Sequence, residues 1–286
     1  MRRTFLLFIT LAFALHGCAS TPREEIRPTA IDAAFKDTAL AARFLIRLTT
    51  HAENGRAQFT AGTGVQLAPD VILTAAHCVP ETLLWDHEPE APIVIDDARR
   101  TATLISSGLD ERLAKLRGEM PRGYGADSAE LARERQRNIF SSHDWALLRI
   151  EPPILSPAVD RLTYDPVSGE PAWLIGFPHH HIPPSELRGL SWPLAEGWTP
   201  PSPLVFAGTI GRIRDGWMNL NLEGTLASFG GASGSGVFVL RDGALALVGV
   251  ASQVMPGTPI VVVARLPVGP ADRLADLRAS QSDTSN

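Results

Sequence analysis

The sequence predicts an all-β protein of two packed antiparallel barrels, and three observations point there. Short runs rich in β-branched and aromatic residues recur along the chain, separated by turn residues. The 286 residues include 24 Gly and 23 Pro, more punctuation than a helical bundle tolerates. Helical crossovers between the runs are missing, which argues against a parallel α/β sheet. With 44% hydrophobic and 20% charged residues, the chain can bury a substantial core and does not read as disordered.

The N-terminal segment stands outside this fold. Arg2-Arg3 precede an apolar run from Phe5 to Leu15, too short to span a membrane, and residues 1–17 read as a signal peptide. The run ends in Leu15-His16-Gly17-Cys18, which resembles the lipobox of bacterial lipoproteins. That resemblance implies a lipidated Cys18 at the mature N-terminus, and Ala19-Ser20 after it imply the outer membrane, facing periplasm or exterior. An ordinary signal and a secreted protein are the alternative. Residues 18–41 then form the lipid attachment and a polar tether. Cleavage before Cys18 removes two arginines and takes the formal charge from −5 to −7, which argues against nucleic acid as a partner.

Strand signals begin at Arg43–Thr49 and continue at Gln58–Thr60 through Gly64–Leu67 and at Val71–Thr74, with one or two more strands within Ile93–Leu104. Residues 108–138 differ: charged, helix-favouring stretches such as Asp110–Arg117 and Ser128–Arg137 read as a helical surface insertion. Strands resume at Trp145–Ile150, Ala172–Gly176, Leu204–Ala207, Gly236–Leu240, Ala246–Ala251 and Ile260–Val263. Ala271–Arg278 reads as a short amphipathic C-terminal helix, and residues 281–286 as a flexible tail.

Three stretches carry chemistry. In Thr74-Ala75-Ala76-His77-Cys78, small residues at the end of an apolar strand can hold His77 rigidly toward a cleft, as a general base requires. Taken alone, such a histidine is more often a satisfied structural residue. Asp144, just before the strand at Trp145–Ile150, is placed to accept a hydrogen bond from a histidine ring nitrogen, or simply to form a turn. In Gly230-Gly231-Ala232-Ser233-Gly234-Ser235-Gly236, glycines surround a serine immediately before an apolar strand. Acyl transfer needs a hydroxyl exposed on such a turn, with backbone N–H groups, here those of Gly231 and Ser233, aimed at a developing oxyanion.

Together these stretches resemble the trypsin-like (chymotrypsin-fold) serine peptidase superfamily of bacterial type, whose chain order is His, Asp, Ser. Thr74-Ala75-Ala76-His77-Cys78 matches the TAAHC motif. Asp144-Trp145-Ala146-Leu147-Leu148 resembles D-I-A-L-L, and Gly231-Ala232-Ser233-Gly234-Ser235 resembles G-D-S-G-G. Gly62-Thr63-Gly64-Val65 and Ile175-Gly176-Phe177-Pro178 resemble two further elements, so the likeness runs from about Arg43 to Arg278. It implies two six-stranded barrels over residues 42–280, with His77 as general base and acid, Asp144 as its orienter and Ser233 as nucleophile. Motif position prefers Ser233 over Ser235. The resemblance also implies a primary pocket lined by Ala227, Ala251, Ser252 and Gln253, small or neutral residues that disfavour charged side chains at the cleavage site.

Departures narrow the resemblance. Ala232 stands where zymogens keep the Asp that receives a new N-terminal amine, so that activation route is closed. No cysteine lies near Ala61, which leaves Cys78 free, most simply as a small buried apolar residue. His179-His180-His181 invites a metal reading, but adjacent residues do not easily converge on one ion. The expectation is therefore a serine endopeptidase without metal or cofactor, acting on protein or peptide and held at the bacterial cell envelope by its lipid. A catalytically silent binding module tethering an envelope partner, its cleft covered by the 108–138 insertion, is the alternative.

Overall fold

In a computed structural model, residues 36–49, 58–84, 88–108, 143–156, 158–159, 161–178, 199–224, 229–255 and 258–266 are described. The signal segment, Cys18, the charged insertion, the three histidines, Ala227 and the C-terminal helix lie outside them.

Twelve strands form two closed six-stranded antiparallel barrels. The first holds β1 (Ala42–Thr49), β2 (Gln58–Ala68), β3 (Val71–Thr74), β4 (Ala91–Ile95), β5 (Ala98–Ser107) and β6 (Ala146–Glu151) in the order β1-β2-β3-β6-β5-β4. The second holds β7 (Pro171–Gly176), β8 (Leu204–Arg214), β9 (Trp217–Leu222), β10 (Gly236–Arg241), β11 (Ala244–Val254) and β12 (Ile260–Arg265) in the order β10-β11-β12-β9-β8-β7. Closure removes the unpaired edges that an open sheet would expose. Helical structure among the described residues is short: α1 (Lys36–Leu40), a 3₁₀ turn at Ala76–Cys78 and α2 (Glu81–Leu84).

Strands that look uniformly apolar in sequence bury both faces, each in a different place. Leu45, Ile72, Leu148 and Ile150 point into the first barrel with Ile93 and Ile95. Leu174, Val237, Val239 and Val248 fill the second. Their chain neighbours Phe44, Ile46, Leu73, Leu147, Ile175, Phe238 and Leu247 face outward into a third layer between the barrels. Because strand side chains alternate faces, one β-rich run serves a barrel interior and the seam at once. Phe44 and Phe177 meet edge-to-face across that seam, ring centroids 5.5 Å apart.

Two strand features exceed the sequence expectation. β8 runs on to Arg214, and β9 was not anticipated at all. In Trp217-Met218-Asn219-Leu220-Asn221-Leu222, burial alternates with period two, but asparagines occupy half-buried positions where β-formers would advertise a strand.

Candidate active site

Antiparallel register brings His77 and Asp144 together. β3 pairs with β6 so that Thr74, the last residue of β3, faces Ala146, the first of β6. The residues just beyond these ends must then lie side by side. On one side the chain tightens into the 3₁₀ turn, with Cys78 N–H donating to Ala75 O at 2.9 Å and Val79 N–H to Ala76 O at 3.0 Å. Asp144, fully buried, receives this turn on both carboxylate oxygens: Oδ1 accepts the backbone N–H of His77 at 3.0 Å, and Oδ2 lies 2.7 Å from His77 Nδ1.

A carboxylate only accepts, so Nδ1 carries the proton and the neutral ring keeps its basic nitrogen at Nε2. The Ser252 hydroxyl donates to the same Oδ2 from β11, in the other barrel. Three donors offset the cost of burying that carboxylate. Burial itself disfavours the His77 imidazolium, but the adjacent Cys78 sulfur and the Asp144 carboxylate outweigh it and push the imidazole up to about 11.

Ser233 sits on a tight turn just before β10. Gly231 and Gly234 hold φ of 84° and 83°, in the left-handed region that side-chain-bearing residues avoid. At Gly234 space also demands glycine, because a Cβ would stand 2.0 Å from the Thr63 carbonyl oxygen. The turn's amides are spoken for in alternation: Ala232 N–H donates to Phe229 O at 3.0 Å, Gly234 N–H to Ala251 O at 2.7 Å and Ser235 N–H to Ala232 O at 2.9 Å. Among the described residues, the N–H groups of Gly231 and Ser233 meet no acceptor. A carbonyl oxygen placed against them would find two ready donors.

The two serines of the turn differ sharply in setting. Ser233 is partly exposed, whereas Ser235 is fully buried against Gly176, its hydroxyl without a partner among the described residues. Cys78 is a free, buried thiol, its Sγ 3.7 Å from the Ser233 carbonyl. Among the described residues no three His, Cys, Asp or Glu side chains gather as a metal site.

The family model for the trypsin-like peptidase domain matches residues 62–250, two thirds of the chain. The chain belongs to this family. Its fold is that of the trypsin-like serine peptidases, all-β with two closed barrels. No curated protein matches the sequence. Among solved structures, the inactive form of the Rv3671c protease is similar at 15% identity, TM-score 0.46, over 88% of this chain and 98% of that one. A Glu endopeptidase in complex with MPD is similar at 15% identity, TM-score 0.48, over 90% and 96%.

Of the residues expected to line a substrate pocket in such a peptidase, Ala251 is fully buried and spends its backbone on the Ser233 turn, its N–H donating to Ser235 O at 2.8 Å. Ser252, at the irregularity between Ala251 and Gln253 in the β11–β12 pairing, turns its side chain to Asp144. A bulge re-aims a side chain in this way. Gln253 keeps partial exposure. The Ser252–Asp144 bond and the contacts of Thr63 with the turn went unread in sequence, because both join segments far apart in the chain.

Proposed function

We propose that this protein is a serine endopeptidase acting through His77, Asp144 and Ser233. The observation that carries the reading is the sealed Asp144 carboxylate, one oxygen on the backbone of His77 and the other on its Nδ1. That geometry leaves Nε2 as the base.

In the reaction, Ser233 Oγ bonds to the scissile carbonyl carbon as its proton passes to Nε2. The carbonyl π pair moves onto oxygen, held by the N–H groups of Gly231 and Ser233. Collapse of the tetrahedral intermediate breaks the C–N bond, and the Nε2 proton leaves with the amine. Water then attacks the acyl-enzyme by the same route in reverse, with His77 again taking and returning the proton. The chemistry supports an activation independent of N-terminal insertion, since Ala232 offers no carboxylate to a new amine. The neutral side chain of Gln253 supports uncharged residues before the scissile bond, a preference that a peptide-library cleavage profile tests.

A fluorophosphonate probe should label the wild-type protein at Ser233 and leave Ser233→Ala unlabelled; equal labelling of both would overturn the assignment. Cys18 is proposed to anchor the enzyme at the cell envelope, an assignment supported by the sequence alone. Cys18→Ser should then move the protein from the membrane to the soluble fraction and abolish a lipid mass increment on the N-terminal peptide.

A further inference from the structure

We propose that Thr63, on β2 of the first barrel, is the positioning residue that sets the oxyanion donors on the second barrel's turn, an inference that rests on the peptidase reading above. Thr63 is fully buried and every polar group it owns is engaged. Its N–H donates to the Ser233 carbonyl at 2.7 Å, and its Oγ1 donates to the Gly231 carbonyl at 2.8 Å. The same Oγ1 accepts the Phe177 N–H at 3.1 Å, and the Thr63 carbonyl accepts the Thr74 hydroxyl at 2.6 Å.

A single residue, through its hydroxyl and its backbone, therefore ties the nucleophile turn to the strand leading to His77 and to the loop after β7.

The consequence follows from peptide geometry. A C=O and the N–H of the next residue share one rigid plane and point in opposite directions. In the plane joining Gly231 to Ala232, the carbonyl is held by Thr63 Oγ1 and the N–H by Phe229 O. In the plane joining Ser233 to Gly234, the carbonyl is held by Thr63 N–H and the N–H by Ala251 O. Between them lies the plane joining Ala232 to Ser233, whose carbonyl accepts from Ser235 N–H and whose N–H, that of Ser233, is the uncommitted one. Thr63 thus clamps both flanking planes, and its Oγ1 fixes the carbonyl of Gly231, the residue that supplies the other donor. Preorganised dipoles stabilise charge because they need not reorganise during reaction, so loosening the clamp should raise the barrier without weakening ground-state binding.

The test compares hydrolysis of a peptide oxygen ester with its thiono counterpart, whose sulfur accepts hydrogen bonds poorly and so reads the oxyanion donors directly. Thr63→Val removes the hydroxyl at nearly constant shape and should lower kcat for the oxygen ester at least about tenfold with KM within about twofold, while shrinking the oxygen-to-thiono rate ratio. Thr63→Ser keeps the hydroxyl and should restore both. Each ratio is taken on one population of active sites, so it does not depend on how much protein is folded. Reading it on Thr63→Ala as well keeps the test intact if the fold rejects valine. A wild-type ratio in Thr63→Val and Thr63→Ala, or no recovery in Thr63→Ser, would overturn the role of Thr63. Absence of fluorophosphonate labelling in the wild-type protein would instead overturn the peptidase reading itself.

Discussion

Two buried polar clusters of this protein are built from similar parts and differ in where they lie. The first stays within one barrel and its loops: the Arg43 guanidinium donates to Gln66 Oε1, Asp96 Oδ2 and the Ser156 hydroxyl, and Gln66 Nε2 donates to Ile154 O at 2.8 Å. Asp96, itself at φ 55°, also accepts the Phe44 N–H at 3.0 Å. Burial holds Arg43 below its ordinary value and pushes Asp96 above its own, while their pairing works against both shifts. The second cluster, His77, Asp144 and Ser252, takes members from both barrels. A cluster closed within one barrel staples a loop. One that crosses the seam ties His77 and Asp144 of the first barrel to Ser252 of the second, next to Ala251, whose carbonyl holds the Ser233 turn.

The comparison breaks most visibly at His77. His77→Ala should lower kcat on the order of 10⁶-fold in protein that is still folded at the assay temperature, because members of a catalytic unit act together. Asp144→Asn should cost about 10⁴-fold, since an amide can hold the ring in the wrong tautomer. Both are read by steady-state kinetics on protein whose fold is checked by circular dichroism. Ser252→Ala removes one donor to the buried carboxylate and should lower kcat about tenfold. If His77 or Asp144 variants lost stability and kept activity, the seam cluster would be a staple like the first.

The closed cluster should behave in the opposite sense. Arg43→Ala should destabilise the fold by about 2 kcal/mol in chemical denaturation and leave kcat/KM unchanged. The pH dependence separates the clusters further. A histidine raised above its unfolded value stabilises the fold while protonated, so that contribution is complete below pH 6.5 and is lost as pH rises toward about 11. Activity needs the neutral ring and should rise over the same window in which melting temperature falls. Asp144→Asn and Cys78→Ala should each move the activity limb toward 6.5, since both groups raise the imidazole. A wild-type limb at or below 6.5 would show that neither neighbour holds the proton on His77.

Much of the fold was legible in the sequence because strand propensity is local. β1, β2, β3, β6, β7, β10, β11 and β12 appear near their expected runs, while β9 hid behind Asn219 and Asn221, whose strand identity lies in alternate burial and not in residue type. The motifs around His77, Asp144 and Ser233 were likewise readable as local patterns, since small residues, glycines and chain order are written in consecutive positions.

Sequence by itself determined the two-barrel class, the candidate chemistry and the order of its three residues. Tertiary structure alone decided that Ser252 turns to Asp144, that Ser235 is enclosed while Ser233 is not, and that Thr63 reaches across 168 positions of chain to Gly231 and beyond it to Ser233. The physical reason is range. Propensity and glycine's freedom act within a few residues, whereas a hydrogen bond across the seam exists only after both barrels have closed and packed.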